Sequence, residues 1–240
     1  MIKVESLCKS FGEVKAVKDV SFAAENGIVT GLLGPNGAGK STTLRILYGL
    51  LKQDSGEAFV DEFNIKTDRI KAQKKIGVLP DSHGLYTRLT AREHIHYFGR
   101  LHGVNENELE ERAQDLIKLL DMSGIADRRV EGFSQGERMK VCLSRSLIHN
   151  PSNVILDEPT NGLDVMTTRT VREIISELKR QDVAVLFSSH LMHEVSRLCD
   201  KIIIISQGIV VATGTNDEIR ESAGEDNLEE AFVTLVEKNV

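Results

Sequence analysis

The sequence lacks a run of about 18 apolar residues, the length that a membrane-spanning helix needs. Its first residues, MIKVESLCKSFG, also lack the apolar core of a signal peptide. We therefore expect any role at a membrane to depend on a partner protein.

Cysteine is also scarce, and acidic residues outnumber basic ones. The three cysteines, Cys8, Cys142 and Cys199, are far apart and form no metal-binding spacing, which is typical of a protein in a reducing compartment. A formal net charge of −6 argues against an extended nucleic-acid surface, so we expect no nucleic-acid partner. The length of 240 residues allows one large α/β domain, or a core with a subdomain.

What the sequence does contain is GPNGAGKST, Gly34 to Thr42, which matches the spacing G-x-x-x-x-G-K-[ST] at every position. Its glycines let successive N–H groups converge on an anion, Lys40 adds a positive charge, and the Ser41 hydroxyl can reach a Mg²⁺ ion between two phosphates. A strand predicted over Gly27–Leu33 and a helix predicted over Ser41–Leu51 flank the loop. We therefore predict a nucleoside triphosphate site rather than a glycine-rich surface turn. Its binding residues would be Gly34, Pro35, Asn36, Gly37, Ala38, Gly39, Lys40, Ser41 and Thr42.

Two adjacent acids follow an apolar strand in NVILDEPTNGLD. Neighbours at a strand end point to different sides, so Asp157 can hold Mg²⁺ while Glu158 polarises a water molecule. The alternative is a solvated charge pair. A later predicted strand, VAVLFSS, brings His190 to its carboxyl end, where it can reach a phosphate or simply end the strand.

Residues 85 to 150 have helical periodicity and read as a helical subdomain inserted into the core. Three capping boxes are predicted there, at Thr90 with Glu93, Asn105 with Glu108, and Ser134 with Glu137. In FSQGERMK, Ser134 and Gly136 at a helix N-terminus can form a second anion site, or Ser134 can be a helix cap alone.

Phe11 lies at the tip of two predicted half-exposed strands that turn at Gly12–Glu13. It can stack on a nucleotide base or be an ordinary core aromatic. Asp81 follows a predicted strand that Pro80 interrupts.

Along nearly its whole length, and with the motifs in the same order, the chain resembles the ATP-binding cassette (ABC) family, and most of all the ATPase subunits of ABC-2-type exporters such as sodium-extruding and drug-resistance systems. The resemblance implies that Phe11 stacks on adenine, that residues 34–42 are the Walker A loop, and that FSQGE is the signature. It implies that Asp157 is the Walker B aspartate, Glu158 the catalytic carboxylate and His190 the switch histidine. Residues 161–164 resemble the D-loop, whose Asp164 would touch the other subunit.

The sequence departs from the family pattern in two places. Asp81 replaces the usual glutamine, so that the implied metal ligands become Ser41, Asp157 and a shorter, charged Asp81. Phe133 and Gln135 stand where leucine and glycine are more usual. The resemblance still implies that Ser134, Gln135, Gly136 and Glu137 serve the ATP of a second subunit.

The resulting expectation is an α/β protein with a P-loop core, an antiparallel β subdomain and an inserted helical subdomain. Residues 1–220 would form the ATP-binding domain, and residues 221–240 a short helical tail. We expect Mg·ATP as cofactor, a second ATPase subunit, identical or related, and an integral membrane permease that holds the protein at the cytoplasmic face of the membrane. In the catalytic step Glu158, His190 and Lys40 would act on ATP. The alternative is a soluble ABC ATPase outside transport, such as an iron–sulfur assembly component.

Overall fold

Two β-sheets and the helices around them make up the part of the chain that the computed structural model describes, residues 1–81 and 84–238. The strands are β1 (Ile2–Phe11), β2 (Val14–Ala24), β3 (Val29–Leu33), β4 (Ser55–Val60), β5 (Phe63–Asn64), β6 (Ile76–Leu79), β7 (Asn153–Asp157), β8 (Ala184–Ser189), β9 (Lys201–Ser206) and β10 (Ile209–Gly214). The helices are α1 (Lys40–Leu47), α2 (Arg69–Lys74), α3 (Ala91–Leu101), α4 (Glu106–Leu119), α5 (Gln135–Leu147), α6 (Val165–Arg180), α7 (Met192–Leu198), α8 (Asn216–Ala223) and α9 (Leu228–Glu237).

The central sheet has the strand order β10-β9-β3-β8-β7-β6, and its strands are parallel except for β10. Every residue of β3, β7 and β8 is buried, as expected for apolar strands that are covered on both faces. Alternate residues pack into two different cores. Leu32 packs with α1 and the second sheet, and Leu33 packs with the helical side.

The second sheet is antiparallel, with the order β2-β1-β4-β5. Its β1–β2 hairpin turns at Gly12, where φ is +59°, which confirms the predicted turn. The hairpin of β9 and β10 turns at Gln207 and Gly208, both with positive φ. Gly208 N–H donates to Ala38 O, so this turn contacts the glycine-rich loop.

Two sequence predictions about helices are wrong. α1 ends at Leu47 rather than Leu51, because the chain turns at Gly49, where φ is +74°. Asn105 caps α4, but its side chain accepts a hydrogen bond from Asn107 N at 3.0 Å and makes no capping box. Glu108 instead pairs with Arg112 at 2.5 Å, one helical turn away.

Other helix predictions agree with the structure. α6 has the predicted bounds, and Thr90 and Ser134 both form complete capping boxes. α3 to α5 lie within residues 85–150, while α8 crosses residue 220, the predicted end of the ATP-binding domain. The last two residues of the predicted tail, 239–240, lie outside the described residues. Within the described ranges, no helix has the length and apolar character to span a bilayer.

Candidate active site

The carboxyl ends of β3, β7 and β8 meet at one edge of the central sheet, because these strands are parallel and adjacent. The glycine-rich loop follows β3, the two acids lie at the end of β7, and His190 follows β8. Ligands of open α/β sheets bind at this edge. The register pairs Asp157 directly with Ser188.

The glycine-rich loop forms a cradle that excludes side chains. A Cβ at Gly34 would lie 2.2 Å from Ile205 O, and one at Gly39 would lie 2.4 Å from Ala16 O. Gly37 and Gly39 have φ of +80° and +103°, which L-residues with a Cβ rarely adopt. The loop borders an open cavity of about 300 Å³ that Ala16, Asp81, Glu158, Asn161 and His190 also line.

Lys40 is a buried cation beside this cavity, with 6% of its surface exposed. Its amino group donates to Gly34 O at 2.6 Å and to Pro35 O at 3.2 Å. Burial lowers the pKa of this amino group, against the opposing charges of Glu158 and Asp157. A buried cation beside a glycine-rich loop at the start of a helix is suited to a polyphosphate.

Asp157 is buried, and its Oδ1 accepts a hydrogen bond from Ser188 Oγ at 2.5 Å. Burial raises the pKa of its carboxyl group, and the charge of Asp81 raises it further, whereas hydrogen bonds from Ser188 and Ser41 lower it. A cation between these oxygens would relieve the repulsion between the two carboxylates.

Glu158 adopts a left-handed conformation, with φ of +52°. Its N–H donates to two oxygens of Ser188, to Oγ at 3.0 Å and to the carbonyl oxygen at 3.2 Å. This conformation turns the chain sharply after β7, so Glu158 faces the cradle cavity while Asp157 stays in the sheet.

His190 contacts Glu158 directly. Its Nδ1 lies 2.9 Å from Glu158 Oε2 and donates to it when Nδ1 carries the proton. Lys40, Glu158 and His190 line the same cavity, so the structure brings these three predicted residues together. It also excludes a fully solvated pair of acids, since Asp157 is buried.

Ser41, Asp157 and Asp81 supply the kind of oxygen ligands that Mg²⁺ prefers. Among the described residues, no group of three His, Cys, Asp or Glu side chains forms a protein-only metal cluster. Such a site suits a Mg²⁺ ion that takes its other ligands from phosphates and water.

Ser134 caps α5 and exchanges hydrogen bonds with Glu137: Ser134 Oγ accepts from Glu137 N at 3.2 Å, and Glu137 Oε2 accepts from Ser134 N at 2.8 Å. The cap prediction is therefore confirmed. In the described part of the chain, the cradle cavity is lined by none of residues 134–137. The signature segment therefore does not line the cradle of its own chain, although Gln135 contacts Asn161 at its edge.

Phe11 is 49% exposed at the end of β1, with the Lys9 amino group 5.5 Å from its ring centroid. The alternative of a core aromatic is wrong. Asp164 caps α6, because its carboxylate accepts from Thr167 N at 2.9 Å and from Thr167 Oγ1 at 2.8 Å. Base stacking by Phe11 and contact of Asp164 with another subunit stay predictions.

Sequence reasoning missed Ser188 and Ala16, and it assigned Asn161 to the D-loop without predicting that it lines the cradle. Ser188 lies two positions before His190, and only the register of β7 against β8 shows that it serves both acids. Ala16 reaches the cradle through packing between the two sheets, and Asn161 lies in the loop after Glu158. A serine two positions before a histidine is too common a pattern to signal such a role.

The family model described as ABC transporter matches residues 17–161. The chain belongs to the ABC transporter family.

Two similar proteins of one organism are ATP-binding proteins. The ABC transporter ATP-binding protein NatA of Bacillus subtilis (strain 168) is 43% identical over 228 residues, covering 95% of this chain and 93% of NatA. The linearmycin resistance ATP-binding protein LnrL of the same organism is 36% identical over 228 residues, covering 95% of this chain and 73% of LnrL.

Among solved structures, the fold matches the dimeric, post-hydrolysis ATP-binding cassette MJ0796 bound to ADP and Pi. The TM-score is 0.79 at 26% identity, with 90% of this chain and 98% of that chain covered. The ABC chain is thus a nucleotide-binding ATPase subunit of a transporter, with the fold of an ABC nucleotide-binding domain. The comparisons favour this function over a soluble ATPase outside transport.

Proposed function

We propose that this subunit hydrolyses Mg·ATP in the cradle and uses the energy to drive an exporter. The observation that carries the proposal is the contact of Glu158 with His190 at the rim of the cavity that Lys40 and the glycine-rich loop line. Residues 34–42 would bind the triphosphate, with Lys40 directed at the β- and γ-phosphates. Phe11 would stack on the base.

Ser41 and Asp157 would hold Mg²⁺, with Asp81 as a further ligand, and the ion would neutralise charge that develops on the phosphates. Glu158 accepts a hydrogen bond from water and takes its proton as the water oxygen bonds to the γ-phosphorus. The bond from the γ-phosphorus to ADP breaks in the same displacement. His190 holds the Glu158 carboxylate in position through Nδ1.

The subunit would act as a dimer. None of Ser134, Gln135, Gly136 and Glu137 lines the cradle cavity of its own chain, and a second subunit would bring its α5 N-terminus to the phosphates. Asp164 would lie at this interface. The dimeric form of the similar cassette structure supports this arrangement.

The membrane partner would dock over a cavity of about 700 Å³ between the core and the helical subdomain. Asp81 lines both this cavity and the cradle cavity. The segment that contains Asp81 would therefore transmit movement from one cavity to the other. Exposed Leu50, Tyr97 and Leu101 supply apolar surface nearby. The similarity to NatA and LnrL supports an exporter, and the permease would hold the subunit at the cytoplasmic face.

Complementation between two damaged chains tests the shared site. Ser134→Arg keeps its cradle and should bind ATP as a monomer, while its bulky cation blocks dimer closure. Lys40→Ala has the opposite defect. Mixing the two should regenerate one whole site and give ATP-dependent heterodimers by crosslinking. If Ser134→Arg monomer loses ATP affinity as severely as Lys40→Ala, the signature serves its own chain and the shared-site proposal is wrong.

A further inference from the structure

The N-terminus of α5 packs closely against the loop that follows Glu158. The Gln135 side-chain amide donates from Nε2 to Asn161 O at 3.0 Å. A Cβ at Gly162, where φ is +69°, would lie 2.7 Å from that same Nε2 atom. The loop has therefore no room for a side chain at residue 162 while Gln135 lies there.

A second close approach lies one residue further along α5. A Cβ at Gly136 would lie 2.6 Å from Thr167 Oγ1, which itself donates to Asp164. The helix thus contacts both the middle of the loop and the first turn of α6. The first contact holds the loop, and the second holds the helix that follows it.

The loop that follows Glu158 is short and is held by internal hydrogen bonds. Asn161 N donates to Glu158 O at 3.2 Å, and Leu163 N donates to Thr160 O at 3.3 Å. Asn161 is therefore bonded directly to the backbone of Glu158, which has a left-handed conformation.

We infer that Gln135 is a positioning residue for Glu158 of its own chain. It couples α5 to the loop that follows Glu158. The inference rests on the proposed function. In a closed dimer, Ser134 would contact the ATP of the other subunit, while Glu158 acts on the ATP of its own. Gln135 would then link the two nucleotide sites through one chain.

The coupling depends on the side-chain amide of Gln135. Where the family usually has glycine, no side-chain amide can bond to the loop. Gln135 is the first residue of α5, and its side chain extends from the end of the helix to Asn161.

The test replaces Gln135 with methionine, which keeps the length of the side chain and removes the amide donor. Gln114→Met is the matched control, because the Gln114 amide also makes one exposed hydrogen bond, to Glu110 at 2.9 Å, far from the loop. Gln135→Met should lower kcat about 2- to 10-fold, as expected for one neutral hydrogen bond, with KM for ATP unchanged. Hydrogen exchange at residues 161–163 of the ATP-free subunit should become faster. Gln114→Met should change neither.

The outcomes separate this role from others. A rise in KM alone would mean that Gln135 only contacts the partner's nucleotide, and an unchanged kcat with unchanged exchange would mean that the bond has no role; both overturn the inference. A fall in melting temperature with kcat unchanged would mark a merely structural bond and would also overturn it. If the wild type and Gln114→Met fail to hydrolyse ATP, the proposed function itself fails.

Discussion

Replacing Ser188 with alanine tests how the fold holds the two acids. Ser188 is fully buried, and its hydroxyl donates to Asp157 Oδ1 at 2.5 Å while accepting from Glu158 N at 3.0 Å. Alanine fits the space and removes both contacts. Glu158 N keeps the Ser188 carbonyl oxygen as an acceptor at 3.2 Å, so the main loss falls on the Asp157 carboxylate.

A hydrogen bond to a charged group contributes about 1.5–3 kcal/mol. At about 1.4 kcal/mol for each factor of ten, Ser188→Ala should lower kcat/KM for Mg·ATP about 10- to 150-fold if the loss falls on the transition state. Any part that falls on folding would appear as a smaller free energy of unfolding in urea, so both quantities are measured.

Ser189→Ala is the matched control. Ser189 is also buried, but its hydroxyl accepts from Leu191 N at 3.0 Å and serves neither acid in the hydrogen bonds of the structure. Its kcat/KM should stay within a few-fold of wild type. If the two alanine variants hydrolyse Mg·ATP equally well, Ser188 does not position the acids and the reasoning is refuted.

Three further predictions concern charged groups. Lys40→Ala should weaken ATP binding itself, because it removes a buried positive charge beside the cradle; unchanged affinity by calorimetry would contradict this. Asp81→Ala should leave the ATP affinity of the isolated subunit near that of the wild type and should reduce transport by the assembled complex. A loss of affinity as large as that of Lys40→Ala would contradict this prediction. Burial lowers the pKa of His149 to about 4, so the unfolded chain binds a proton that the folded chain does not between about pH 6.5 and 4. The free energy of unfolding should therefore fall by up to about 3 kcal/mol as pH is lowered through this range. His149→Gln should flatten the dependence, and a slope equal to that of the wild type would refute the prediction.

The sequence predicts the cradle well because its determinants are local. Gly37 and Gly39 have the positive φ values that the motif requires, and the strand before the loop and the helix after it lie where the apolar pattern places them. The bounds of α6 are predicted correctly for the same reason, since Asp164 caps it and its apolar stripe is regular.

Features that depend on contacts between distant segments were not predictable. Ser188 meets Asp157 only because β8 lies beside β7 in one particular register.

Two local features were also not predictable. The end of α1 depends on Gly49, which a helical pattern alone does not distinguish from an interior glycine. Asn105 illustrates a local ambiguity, because an asparagine cap can bond to the second or third residue of a helix and here bonds to Asn107.

The central claim is that two copies of this nucleotide-binding fold close around ATP and that Glu158 then catalyses hydrolysis. The most direct measurement is the mass of the Glu158→Gln chain by light scattering with saturating Mg·ATP. Glutamine keeps the shape of the side chain but cannot take a proton from water, so the variant should bind ATP, fail to hydrolyse it and accumulate at twice the monomer mass. A Glu158→Gln chain that hydrolyses ATP near the wild-type rate, or that stays monomeric with ATP bound, would contradict the account.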